Sequence, residues 1–252
     1  MKDFLKINDL KVTYHTKKNE TLAIDGVNFS VDEGQFVSII GPSGCGKTTV
    51  LSIIAGLIPK SSGKIFLKGS EITEPSRKIG YMLQKDHLFE WRTIIENLYL
   101  PLEITHTKND ESVSYVKELL NKYKLEGFEK YYPSQLSGGM RQRVALIRTL
   151  ATKPELLLLD EPFSALDYQT RLDVCDDVYS IIRQEKKTAI LVTHDITEAI
   201  SLSDKIIVLS ERPSKVRKIF WTDFDKDLSP LKRRESNAFS VWFEKLYKEL
   251  KQ

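Results

Sequence analysis

The sequence lacks several features that would assign it to familiar protein classes. No run approaches the ~18 consecutive apolar residues that cross a bilayer, so any work at a membrane is expected to go through a partner. Two cysteines, Cys45 and Cys175, cannot form a disulfide framework, which points to a reducing compartment. No apolar stretch follows the first charges, so no secretory leader is read. A net charge of +3 is too small to argue for nucleic acid, and the basic residues are spread out apart from Lys232-Arg233-Arg234. There is no internal repeat and no low-complexity segment. What remains is ordinary: 41% hydrophobic and 29% charged residues over 252 positions, enough chain for one domain with a core and a subdomain.

Leu5, Ile7, Leu10, Val12 and Tyr14 nearly alternate, and Val27, Phe29 and Val31 alternate cleanly. Both patterns suit a half-buried antiparallel sheet. Phe36-Val37-Ser38-Ile39-Ile40 is mostly apolar and ends at Gly41, as a central parallel strand buried on both faces would. A helix is expected over 48–55, with strands over 65–67 and 79–82. From about residue 110 to 151 the pattern turns helical, through Val113, Val116, Leu119 and Leu120 and then 140–151. Strands return over 156–159, 189–193 and 206–209, separated by helices over 172–184 and 196–202. Alternating strands and helices imply a parallel sheet. In the tail, Phe239, Trp242, Phe243, Leu246 and Leu250 form one face of a helix, expected to pack on the protein's own core.

Five short motifs carry chemistry. Gly41-Pro42-Ser43-Gly44-Cys45-Gly46-Lys47-Thr48-Thr49 fits the phosphate-loop pattern Gly-x4-Gly-Lys-Ser/Thr. Its glycines let backbone amides close around a phosphate, and the following helix adds the positive end of its dipole. Lys47 supplies a charge for the β- and γ-phosphates, and Thr48 a hydroxyl for magnesium. Leu156-Leu157-Leu158-Leu159-Asp160-Glu161 is an apolar strand that ends in two acids, at the edge where ligands sit in open α/β sheets. Asp160 is expected to hold the metal and Glu161 to act as general base toward the attacking water. Leu136-Ser137-Gly138-Gly139-Met140 opens a helix and offers a second anion site. Gln84 follows the strand over 79–82, and Thr193-His194-Asp195 follows the strand over 189–193.

In this order the five motifs resemble the nucleotide-binding subunit of ATP-binding cassette (ABC) transporters, over nearly the whole chain. The resemblance implies an α/β fold: a phosphate-loop NTPase (RecA-like) parallel-sheet core with an N-terminal antiparallel β subdomain and an inserted α-helical subdomain. The core is expected over 1–84 and 157–211, the helical subdomain over 85–156 and a tail over 212–252, all in one domain. It implies ATP and Mg2+ as cofactors, with Thr48, Gln84 and Asp160 toward the metal. By the same resemblance His194 contacts the γ-phosphate and Tyr14 stacks on adenine. Ser164-Ala165-Leu166-Asp167 crosses a dimer interface. Ser137, Gly138 and Gly139 reach the γ-phosphate held by the opposite subunit, so two copies meet head to tail around two ATP molecules. Cys45 is read as a small filler whose alkylation would block ATPase activity, with ATP protecting. Cys175 is read as a packing residue.

Only about fifty residues separate Gln84 from Leu136, too few for the coiled coil of chromosome-maintenance and repair ATPases. There is no second cassette, as translation-linked ATPases would carry. The chain therefore resembles an importer subunit, peripheral on the cytoplasmic face of the membrane. Its partners would be permease subunits and, indirectly, an extracytoplasmic solute-binding protein, with no nucleic acid. The alternative is a mechanical membrane complex of the cell-division or lipoprotein-release type. Trp91-Arg92-Thr93 resembles the nitrate, sulfonate and taurine branch, which also includes subunits assigned to pyrimidine precursors of thiamine. That branch usually has proline where Glu90 stands. Leu88, Phe89 and Trp91 either form an apolar patch for the permease or fill the helical core.

Overall fold

The structure is a computed structural model that describes residues 1–15, 20–225 and 227–251. β1 (Leu5–His15) and β2 (Glu20–Val31) pair antiparallel, and β3 (Phe36–Ile40) leads through a glycine-rich loop into α1 (Lys47–Ile54). β4 (Ser62–Leu67) and β5 (Ser70–Glu71) complete the first sheet in the order β2-β1-β4-β5. β6 (Ile79–Met82) starts the crossing to a helical block of α2 (Ile94–Ile104), α3 (Asp110–Lys122) and α4 (Gly138–Leu150). Then come β7 (Leu156–Asp160), α5 (Tyr168–Gln184), β8 (Thr188–Val192), α6 (Ile196–Leu202) and β9 (Lys205–Leu209). β10 (Val216–Trp221), α7 (Pro230–Glu235) and α8 (Asn237–Lys251) close the chain.

The second sheet runs β10-β9-β3-β8-β7-β6. β9, β3, β8, β7 and β6 are parallel, and β10 is antiparallel to β9. This is the expected α/β architecture, an antiparallel sheet packed on a mostly parallel one. The all-buried strands are the ones whose apolar runs lack alternation. β3 and β7 are buried at every position, as strands covered on both faces must be. Their side chains still divide by the period of two. Leu157 and Leu159 enter the core shared with α2–α5, while Leu156 and Leu158 enter the core shared with the first sheet.

The helical region departs from the reading. The helical pattern read through 113–120 and again over 140–151 is α3 and α4, joined by a loop and a 3-10 turn at Pro133–Gln135. α2 was not expected. It starts at a capping box in which Thr93 accepts from the Glu96 amide and Glu96 accepts from the Thr93 amide. The tail helix α8 behaves as read: Leu246 is fully buried, and Phe239, Trp242, Phe243 and Leu250 pack with it against Ile40, Ile200 and Val208.

Candidate functional site

The phosphate loop follows β3, His194 follows β8, Asp160 and Glu161 end β7, and Gln84 follows β6. Those four strands are neighbours in the sheet in that order, so their C-terminal ends bring motifs scattered over 150 residues of sequence to one edge. A cleft of about 520 Å3 lies there, lined by Ser43, Gly44, Gly46, Lys47, Thr48 and Thr49 together with Glu161, His194 and Arg212.

The loop is built for close approach of its own backbone. A Cβ on Gly41 would lie 2.8 Å from the Leu209 carbonyl oxygen. Gly46 caps α1 in the left-handed region, φ 110°, and no side chain bonds the first helical amides. Those donors are free for an anion. Lys47 is nearly buried, yet its ammonium donates only to the Gly41 and Pro42 carbonyls, at 2.9 and 3.0 Å. Among the described residues it makes no ion pair, though its charge is felt by Asp160 beside the cleft. Pro42 itself faces a neighbouring hollow with Ser210 and Glu211. Cys45 is buried, and burial pushes its thiol up in pKa despite the nearby Lys47. A covered thiol with a raised pKa reacts more slowly with alkylating agents than a free one. Cys175 is fully buried and its thiol is likewise pushed up by burial. On the first sheet, the half-exposed Tyr14 meets the Thr49 hydroxyl through its own at 3.2 Å.

Asp160 is 5% exposed, so its carboxylate pKa is pushed up by burial, although Thr48 donates to it at 3.0 Å and Tyr81 at 3.2 Å. Tyr81 is pushed up to about 12, mainly by burial, so it stays a donor. Sequence reading missed Tyr81; the signal was its place on β6, paired with Leu158 and two residues short of the acids. The Thr48 hydroxyl and the Asp160 carboxylate are hard oxygen donors. They suit a magnesium ion completed by water and phosphate oxygens, and among the described residues no group of three acids, histidines or cysteines forms an all-protein cage.

Glu161 sits in the left-handed region at φ 45°, an uncommon conformation for a residue with a side chain, and its amide donates to the Val192 carbonyl at 2.9 Å. This bend turns its carboxylate toward His194, whose Nδ1 is 3.1 Å from Oε2. The Gln84 amide donates to the same oxygen at 3.5 Å and to Ser164 Oγ at 3.4 Å. Ser164 opens the Ser164–Asp167 turn, and Asp167 caps α5 through the Thr170 amide. Ser137, Gly138 and Gly139 are not brought to this cleft. Ser137 caps α4 by accepting from the Met140 amide at 3.3 Å, and Gly138 and Gly139 pack near Leu166 and Val174.

The segment after Gln84 divides. Leu88 is buried in the helical core and Phe89 is half-buried, whereas Trp91 is 74% exposed, with its ring 4.8 Å from that of Phe89. Leu88 thus fills the helical core, while Trp91 is left on the surface. Glu90 pairs with Arg141 at 2.8 Å, just after the Ser-Gly-Gly motif, and Arg141 also holds Asp86.

A phosphate loop and two strand-end acids on a parallel sheet, faced by a second, antiparallel sheet and a helical block, define a nucleotide-binding cassette. The chain belongs to the ABC transporter family: residues 24–164 match the model of that family. It is 47% identical over 250 residues to an uncharacterized ABC transporter ATP-binding protein, YtlC, of Bacillus subtilis (strain 168), spanning 98% of this chain and 95% of that one. It is 45% identical over 207 residues to the aliphatic sulfonates import ATP-binding protein SsuB of Bacillus cereus (strain ATCC 10987 / NRS 248), covering 82% of this chain and 81% of that protein. Among solved structures, the ATP-binding cassette MJ0796 in a dimeric post-hydrolysis state bound to ADP and Pi superposes with a TM-score of 0.74. That match is 32% identical and covers 87% of this chain and all of MJ0796. The chain is an ABC ATP-binding subunit, and among the described residues no helix is long and apolar enough to cross a membrane.

Proposed function

We propose that this chain hydrolyses ATP to drive an importer of a small anion of the organic sulfonate class. Two copies stand head to tail beneath two permease subunits, peripheral on the cytoplasmic face, and an extracytoplasmic binding protein delivers the solute. The observation that supports the ATPase half is the Glu161 carboxylate, held by His194 at 3.1 Å and Gln84 at 3.5 Å at the mouth of the phosphate-loop cleft. In this reading the amides over 41–49 and Lys47 grip the phosphates, and Tyr14 faces the adenine. Thr48, Asp160 and Gln84 would hold Mg2+, which would supply charge neutralisation for the bound polyphosphate. Glu161 takes the proton of the water that attacks the γ-phosphorus, and His194 orients that carboxylate and contacts the γ-phosphate. Most of the rate comes from positioning and fixed charge.

The import half rests on the relatives named for aliphatic sulfonate import and on Trp91, an exposed aromatic beside the Glu90–Arg141 tie to α4. Trp91 would dock the permease, and Arg141 would carry that contact to the Ser137–Gly139 motif. A tagged chain drawn from its native membranes in gentle detergent tests the reading by mass spectrometry and ATPase assay. A multi-span permease with a binding protein that takes up sulfonates is expected, and Trp91→Ala should lose both. A division or lipoprotein factor in their place would move the chain to the mechanical class.

A further inference from the structure

Of the nine residues lining the cleft, eight belong to the phosphate loop, Glu161 or His194, and the ninth is Arg212. It lies just beyond β9, outside every motif of the family. Its neighbours in sequence spend their charges elsewhere. Lys215 pairs with Asp25 at 2.9 Å, and Arg217 and Lys218 share Glu249 at 2.9 and 3.1 Å. Arg212 has no hydrogen-bond or ion-pair partner among the described residues. Its loop is nonetheless fixed at the base. Ser210 and Lys215 bond each other twice, the Ser214 amide donates to Ala23 O at 3.0 Å, and the Asp25 amide donates to Ser214 O at 3.0 Å. Ser214 is buried against the phosphate loop, where a Cβ on Gly46 would lie 3.6 Å from its Oγ. The charge of Arg212 is felt inside the loop, where with that of Lys47 it opposes the upward push of burial on the Cys45 thiol.

We propose that Arg212 is a further nucleotide-binding residue, its guanidinium gripping the polyphosphate of the ATP held by its own phosphate loop. A guanidinium presents N–H donors in a fork that matches phosphate oxygens. The loop amides and Lys47 reach the phosphates from one chain segment, and Arg212 adds a second, anchored by Ser214 to both β2 and the loop. The inference rests on the reading of this cleft as an ATP site.

The test is calorimetric titration of the full-length wild type, Arg212→Ala, Arg212→Lys and Lys47→Ala with ATP, ADP and AMP, and the KM for ATP of the first three. Arg212→Ala should weaken ATP and ADP about five- to tenfold and AMP by less than about twofold. The gap to wild type should narrow as ionic strength rises. Arg212→Lys should recover much of the loss, and the KM should follow the Kd. Wild-type affinity in Arg212→Ala, or an equal loss toward AMP and ATP, overturns the proposal. A wild-type chain that binds no ATP overturns the parent reading and this one with it. Binding by wild type that Lys47→Ala abolishes and Arg212→Ala leaves intact sinks Arg212 alone.

Discussion

At the scale of the residue, Glu161 combines a strained backbone with an unusually well-held side chain. Its left-handed φ and its bonds to His194 and Gln84 fix one carboxylate at the cleft mouth. Glu161→Gln should keep ATP binding and lose about 10²–10⁴-fold in turnover, the usual worth of a general base. Single-turnover hydrolysis near the wild-type rate would refute the assignment. Glu198 gives a second handle. It is 3% exposed beneath Thr193, which donates to it at 2.6 Å, and burial pushes its pKa up to about 7 from 4.5. The folded chain then keeps a proton that the unfolded chain releases, so this residue costs stability as pH rises from about 4.5 to about 7 and costs a constant amount above that. Glu198→Gln removes the ionisation but keeps an oxygen for Thr193. Its stability relative to wild type should grow between these pH values by about 2–3 kcal/mol, read by urea denaturation at pH 5 and pH 8. A pH-independent difference would place the native pKa near its ordinary value. The motifs announced which residues to watch in the sequence. They did not announce Tyr81, Glu198 or Arg212, because a strand tyrosine, a helix glutamate and a loop arginine acquire meaning only from neighbours far along the chain.

At the scale of the element, the strands were legible and the helical block was less so, for a physical reason. β3, β7, β8 and β9 are continuous apolar runs bounded by breaks, which few other structures explain. α2 carries Pro101 within it and follows a stretch of aromatic and charged residues, so its period is blurred. The Thr93-x-x-Glu96 box before an apolar run was the cue that could have found it. Asn97 ties this helix to the segment before it. Its Nδ2 donates to the carbonyls of Phe89, Arg92 and Thr93, at 3.1, 3.1 and 2.9 Å, and its Oδ1 accepts from the Phe89 amide at 2.7 Å. No single apolar side chain can replace that set. Asn97→Ala should cost about 2–4 kcal/mol in chemical denaturation, since it strands several backbone groups in a buried place. A loss under about 1 kcal/mol would mean that the segment over 89–93 is held by other contacts.

At the scale of the whole molecule, the arrangement of sites argues for a pair of chains. The phosphate loop, Asp160, Glu161 and His194 share one cleft, while Ser137, Gly138 and Gly139 cap α4 outside it. The sheet order explains the first grouping, and no spacing in the sequence could have given it, because β3 and β8 are neighbours across some 150 residues. The separation of the second group is what the proposed head-to-tail dimer requires, in which each ATP would take its phosphate loop from one chain and its Ser-Gly-Gly motif from the other. Lys47→Ala removes the cation from one half of such a site, and Gly138→Asp places a carboxylate where the other half would meet the γ-phosphate. Each variant alone leaves both sites of its dimer defective. In a mixed dimer, the damaged loop and the damaged helix N-terminus fall in the same site, and the remaining site joins the intact loop of the Gly138→Asp chain to the intact motif of the Lys47→Ala chain. Mixing the two purified variants should therefore restore ATP turnover that neither shows alone. If both halves of a site came from one chain, no mixture could contain an intact pair, and the activity of the mixture would stay at the average of its components.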